Sequence, residues 1–341
     1  MKYTTAANTL AILASFNNVH SFVAPTKSNN GNTIFLSPSQ SKKGDCQSSI
    51  CMSTIVNEET NVNEVTKTPT YLDDGFVFGL QESGINRPKG KESLIVVDGD
   101  SLETTPMQVA VVSATLASHL GFIGFDIAQI LHNSGDNYLL TSMLASITIA
   151  TSWVMADLGS GILHWSVDNY GNGRTPIMGN IIAAFQGHHA APWTITKRGF
   201  CNNIYKLCVP FGIPTVTMIT VLAHNPFVSL FTAVFCGMEI LSQEFHKWSH
   251  MTKGQVSPQI NWLQEAGITI GRKPHALHHM APYEGNYCII SGVCNDFLDQ
   301  SGFFRWLEHM IYNWNGVESN AWKLDAELKA KTLRGEYRTD I

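Results

Sequence analysis

Hydrophobic positions are unevenly spread along this chain, and their runs predict where it meets a membrane. From Val109 to Leu131 the single charge is Asp126, and from Tyr138 onward the next is Asp157. Each run is long enough to cross a hydrocarbon core of ~30 Å, which takes about 20 helical residues. A further apolar block, Leu207 to Leu241, is interrupted near His224, Asn225 and Pro226, and its two shorter pieces read as a helical hairpin, with a buried or re-entrant hairpin as the alternative. The expected fold is an all-α membrane protein with about four transmembrane helices and a histidine-rich cap.

The pattern differs at both ends. Lys2 precedes the apolar run Ala6 to Phe16, and Val19 and Ser21 are small residues spaced as at a signal cleavage site. Phe22 follows, in Ser21-Phe22-Val23-Ala24-Pro25. From there to residue 54 the chain is rich in Ser and Asn, carries Lys27, Lys42 and Lys43, and has one acid, Asp45. Residues 1–54 thus resemble the bipartite plastid presequence of algae, a signal peptide followed by a transit peptide; an ordinary secretory signal with a disordered tail is the alternative. Residues 55–105 are polar and acidic without periodicity and read as a flexible arm. Residues 315–341 read as a charged tail.

Composition agrees with a membrane location. Hydrophobic residues make up 44% of the chain and charged ones 14%, against roughly 25% charged in soluble domains. The net charge of -5 gives no reason to expect nucleic acid. Five cysteines, Cys201, Cys208, Cys236, Cys288 and Cys294, lie beyond the presequence in no zinc-ribbon or CxxC spacing, so they read as small core or loop residues.

The candidate chemistry lies in the histidines. Eight of the 13 fall in four groups at the edges of the apolar stretches: His164, the pair His188 and His189, the pair His246 and His250, and the trio His275, His278 and His279. Neutral imidazole is the commonest metal ligand, and spacings of three or four place side chains on one helix face. Adjacent histidines point about 100° apart on a helix, so His188 and His189 reach one centre only if it holds two metals or the backbone turns. In Asp157-Leu158-Gly159-Ser160-Gly161-Ile162-Leu163-His164-Trp165-Ser166-Val167-Asp168 helical spacing puts Asp157, Gly161, His164 and Asp168 on roughly one face. Asp157 and Asp168 are candidate outer carboxylates that orient imidazole rings.

These motifs resemble a known family. HxxHH at His275 to His279 and HxxxH at His246 to His250, between membrane hairpins, are similar to the histidine boxes of membrane desaturases and hydroxylases. The finer likeness is to the lipid desaturase family, which includes plasmanylethanolamine desaturase and the plastid fatty acid desaturase 4 of plants. It is carried by Asp157 to Asp168, Phe185 to Trp193, Gln243 to His250, and Pro274 to His279 with Pro282, Tyr287-Cys288 and Gly292-Val293-Cys294-Asn295, within a domain at residues 106–314. The resemblance implies that the eight histidines hold two iron ions. It further implies O2-dependent desaturation of a membrane glycerolipid, with ferredoxin or a similar donor supplying electrons. The presequence favours the plastid branch, hence a trans double bond near the carboxyl end of palmitate on phosphatidylglycerol, in a multi-pass plastid membrane protein. Ether-lipid desaturation of plasmanylethanolamine is the nearest alternative. A membrane haem protein with paired axial histidines, or a noncatalytic adaptor, are alternatives of another class.

Overall fold

A computed structural model describes residues 90–339. The presequence expected at 1–54 and most of the acidic arm lie outside the described residues. The first long helix, α1 (Pro106–His132), begins where Thr105 accepts a hydrogen bond from the Gln108 amide while the Gln108 side chain accepts one from Thr105 N, with proline at the first helical position. After a short turn, α2 (Tyr138–Asn169) runs for 32 residues, or about 48 Å. That exceeds the hydrocarbon core, so its last turns, which carry His164 and Asp168, project beyond it.

α3 (Gly179–Ala190) and a 3-10 turn, Pro192–Lys197, follow. The block expected as a hairpin is unequal. α4 (Phe200–Ile204), the 3-10 turn Tyr205–Cys208 and α5 (Ile213–Ala223) form its first limb. α6 (Pro226–Ser249) forms its second, capped by Asn225 onto Phe227 N. Eleven residues of α5 reach only about 16 Å. The first limb is bent by 41° between Phe200–Cys208 and Ile213–Ala223, so there are three candidate spans, or four if the bent pair counts as one. The described residues are helix and loop without strands.

α6 is the central strut. Ile130, Ala145, Leu230 and Val234 join it to α1 and α2 at one end, and Ala156, Phe245, Ile270 and Ile290 pack at the other. The lone charge of α1 lies inside this packing, where Asp126 Oδ2 accepts from Ser229 Oγ at 2.6 Å and Ser229 meets Thr220 Oγ1 at 3.0 Å. A polar group in an apolar bundle needs such partners. Outward faces stay apolar: Leu120, Phe125, Leu139, Met143 and Ile147 are all more than half exposed, as lipid-facing side chains would be.

The start of α1 and the ends of α2 and α6 share one end of the bundle. There Asn202 donates to the carbonyls of Ser101 and Glu103, and Arg198 and Lys206 meet Asp100. The turns at the other end, 133–137 and 224–225, carry one formal charge, Asp136. Two segments read from sequence as an arm and a tail pack on the helices. Leu94 and Val96 lie against Ala183 and Ala190, and Leu94 N donates to Thr194 Oγ1. Beyond α7 (Pro258–Glu265), α8 (Arg272–His278), α9 (Asn295–Ser301) and α10 (Phe303–Asn315), helices α11 (Asn320–Leu324) and α12 (Ala326–Leu333) close the chain. On α11, Trp322 is buried, and Asn320 donates to the Asp168 carbonyl at 2.7 Å.

Candidate metal centre

The eight histidines meet at the end of the bundle that carries Arg198 and Lys206, in two adjacent groups. His188, His246, His250, His275 and His279 turn their ring nitrogens to within 4.8 Å of one another, and so do His164, His189 and His278 together with Asp168. Helix geometry decides who goes where. His246 and His250 lie one turn apart on α6 and enter the first group together, as do His275 and His279 across the end of α8. The neighbours His188 and His189 diverge into different groups, and so do His278 and His279. The groups touch: the rings of His189 and His279 are 4.7 Å apart, and those of His164 and His246 are 5.9 Å apart.

In the second group Asp168 Oδ2 lies 3.0 Å from His189 Nε2, 3.3 Å from His164 Nε2 and 3.5 Å from His278 Nε2. The far side of two of these rings faces a carbonyl. His164 Nδ1 is 2.9 Å from Tyr287 O, and His278 Nδ1 is 2.8 Å from Gly285 O. A carbonyl only accepts, so both Nδ1 atoms carry the hydrogen, and in the neutral ring each Nε2 is then the atom that presents a lone pair. These two buried Nε2 atoms have no hydrogen-bond partner. Two lone pairs turned on a carboxylate repel one another unless a cation lies among them.

The first group leads to the same conclusion. His250 Nε2 lies 2.9 Å from His188 Nε2, 3.3 Å from His246 Nε2 and 2.8 Å from His275 Nε2, and His275 Nε2 lies 3.0 Å from His279 Nε2. A neutral ring has one N–H, so these contacts cannot all be hydrogen bonds. Burial, reinforced by neighbouring rings, holds His188, His275 and His279 well below the usual imidazole range and His250 at about 3. The rings are therefore neutral near pH 7, the form that binds a metal. The donor set of eight imidazoles and one carboxylate fits two cations of the kind imidazole favours, iron among them. Paired axial haem ligation uses two opposed rings per iron and would leave the other converging imidazoles without a role.

The two carboxylates divide. Asp168, expected to orient rings from outside, lies among the ring nitrogens. Asp157 touches no histidine: Oδ1 accepts from Ser291 N at 2.7 Å and Gly292 N at 2.9 Å, and Oδ2 from Cys294 N at 3.0 Å. It pins the loop that presents Tyr287. Ser160 Oγ accepts from Ile289 N in support. Gly161 lets that loop approach, since a Cβ there would overlap Cys288 Sγ. Sequence reading missed the carbonyls of Gly285 and Tyr287, because a backbone atom leaves no residue-type signal. It also missed Gln186, which fastens α3 to α2 by donating to Val167 O and Gly171 O. Among histidines outside the boxes, His119 meets the carbonyls of Thr115 and Phe211, and His309 meets the Tyr337 hydroxyl.

A lipid desaturase domain matches residues 153–322, and fatty acid desaturase 4-like 2, chloroplastic, of Arabidopsis thaliana is 38% identical over 202 residues, covering 59% of this chain and 70% of that protein. The chain belongs to the lipid desaturase family. Fatty acid desaturase 4, chloroplastic, of the same plant is 44% identical over 170 residues, 50% of this chain and 52% of its own length. Plasmanylethanolamine desaturase 1 of Mus musculus is 30% identical over 187 residues, 52% of this chain and 69% of its own length. The chain thus spans little more than half of the first chloroplastic relatives, 57% and 52% of their lengths. No solved structure matches. The family match contains all eight histidines and both aspartates.

Proposed function

We propose that the protein is a membrane di-iron desaturase of acyl lipids, acting in a plastid membrane on phosphatidylglycerol. The observation that carries this reading is the pair of adjacent imidazole groups, with ring nitrogens turned inward, at one end of an apolar bundle in a lipid desaturase chain. His188, His246, His250, His275 and His279 would hold one iron, and His164, His189 and His278 with Asp168 the other. Bound iron, with O2 and external electrons, would supply the oxidising power that no side chain has for removing hydrogen from an unactivated methylene.

The chain's own residues orient and neutralise. Tyr287 O and Gly285 O fix the tautomers of His164 and His278, and Asp168 offsets cationic charge inside a buried site. Asp157 anchors the loop that carries both carbonyls. Two substrate hydrogens leave with two electrons, and two more electrons with two protons bring dioxygen to water. A ferredoxin-type protein is the proposed donor. The product is a trans double bond near the carboxyl end of palmitate.

Chloroplastic relatives at 44% identity support the plastid assignment, as does the presequence read at 1–54. The likeness to the mouse protein supports one second reading, conversion of an ether-linked alkyl chain to a vinyl ether. Metal analysis of the purified protein should give about two non-haem irons per chain. Lipid profiling after expression in plastids should show a new monounsaturated sixteen-carbon chain in phosphatidylglycerol. Iron-free protein with an unchanged lipid profile would sink the proposal, and a vinyl ether in ethanolamine lipids would select the second reading.

A further inference from the structure

One edge of the five-histidine group opens on a cavity of about 380 Å³, lined by Lys91, Trp193, Thr196, Lys197, His250 and Gln255. Its size is that of a small-molecule site. It reaches the centre directly, because His250 belongs both to the cavity wall and to the imidazole group. Its charge has one sign: two lysines line it and no acid does.

Among the described residues these lysines are unpaired. Arg198 and Lys206 at the same end share Asp100, and Lys247 is paired with Glu244. Among the described residues neither Lys91 nor Lys197 has an acidic partner. The remaining wall is set for polar recognition. Gln255 uses its oxygen on the amide and hydroxyl of Thr252, which leaves its NH2 group to donate elsewhere. Trp193 is held by its Nε1 donating to Glu92 O at 2.9 Å, so its ring is a fixed wall. An ammonium group is a compact point charge suited to a phosphate oxygen.

We infer that this cavity binds the anionic glycerophosphate head group of the lipid substrate, with Lys91 and Lys197 on the phosphodiester and Gln255 on a glycerol hydroxyl. The inference rests on the lipid desaturase reading above and deepens it. A head group seated against His250 leaves only the first carbons of the acyl chain within reach of the histidines, so the cavity's position ties head-group choice to a double bond near the ester. A concave site of this volume suits a head group better than the face of a protein.

The test uses full-length protein in detergent with vesicles of phosphatidylglycerol or phosphatidylcholine bearing the same chains. Lipid retained by the protein is measured by mass spectrometry, and turnover is measured alongside. Lys91→Gln with Lys197→Gln should weaken phosphatidylglycerol retention and kcat/KM by about tenfold or more, the loss expected for a charge-assisted contact. Phosphatidylcholine retention and iron content should stay unchanged. Each single variant should show a smaller loss in the same direction, and Lys206→Gln, outside the cavity, none. Undiminished preference for phosphatidylglycerol in the double variant overturns the proposal. An equal loss of turnover with every head group, relieved by more electron donor, also overturns it and makes the cavity a docking site for an acidic protein. Lost retention in a protein whose wild type makes no product would keep the cavity and refute the desaturase reading instead.

Discussion

The two halves of the centre are built from the same ring and solve different problems. The group of His164, His189, His278 and Asp168 is wholly buried, and its carboxylate supplies negative charge where water cannot. The group of five has no carboxylate, and His188, His250 and His279 in it are only partly buried. A cation in a sealed site needs a nearby anion, because desolvation of an uncompensated charge is severe. A cation beside an open cavity keeps water or a bound anion within reach. The sealed half is thus suited to hold a metal permanently, and the open half to meet what enters from outside.

The strongest test of this division uses neighbours in sequence. His278→Ala strikes the sealed group and His279→Ala the open one. Both should abolish product while the chain still accumulates in the membrane, since losing a ligand costs more than the 10- to 100-fold of an outer contact. Each should retain about one iron per chain by mass spectrometry, bound with different spectra. Full activity in either variant would undo the assignment of eight ligands.

Charge is the next lever. Asp168→Asn keeps size but removes the anion among the ring nitrogens, and should lower product formation by more than the ~100-fold of an outer contact, with iron falling toward one per chain. Normal iron content with normal turnover would show that the carboxylate is not needed among the rings. Asp157→Ala, about three turns back on the same helix, should behave otherwise. It leaves three loop amides without their acceptor, a loss of about 1–3 kcal/mol for each donor that stays buried. A lower unfolding temperature with iron retained in the folded fraction is the expected result.

Gly161→Val should cost about 1–3 kcal/mol as its side chain displaces Cys288 and the carbonyl beside it. Turnover should fall more than folding does, because Tyr287 O orients His164. The smallest effect belongs to His119→Ala. Its two hydrogen bonds go to backbone carbonyls within the bundle, so product formation should stay near wild type when normalised to protein amount. A loss equal to that of a box histidine would place a functional group at the wrong depth.

Much of this was legible without coordinates. Two long spans followed from charge-poor runs, since an apolar segment in lipid has to satisfy its own backbone hydrogen bonds. The four histidine groups and their pairing at i and i+4 followed from helical periodicity. The hairpin was less legible: hydropathy counts residues, whereas a glycine-proline break at Gly212 and Pro214 bent the first limb and left α5 short. Packing of residues 90–105 and of α11 was illegible too, because their contacts lie about 100 to 150 residues away along the chain.

The sequence by itself determined the solvent, the element type and the donor chemistry: a helical protein for a bilayer with eight imidazoles beside it. Those properties are local, fixed by residue type and by spacings of a few residues. Tertiary structure alone decided how the eight divide, which aspartate joins them and which merely holds a loop, and which ring nitrogen carries the hydrogen. Asp157 and Asp168 have the same side chain on one helix, and only the backbone folded against each tells them apart. The loop at residues 285–294, which returns more than 120 residues later to meet α2, sets those roles, and no periodicity within α2 records its arrival.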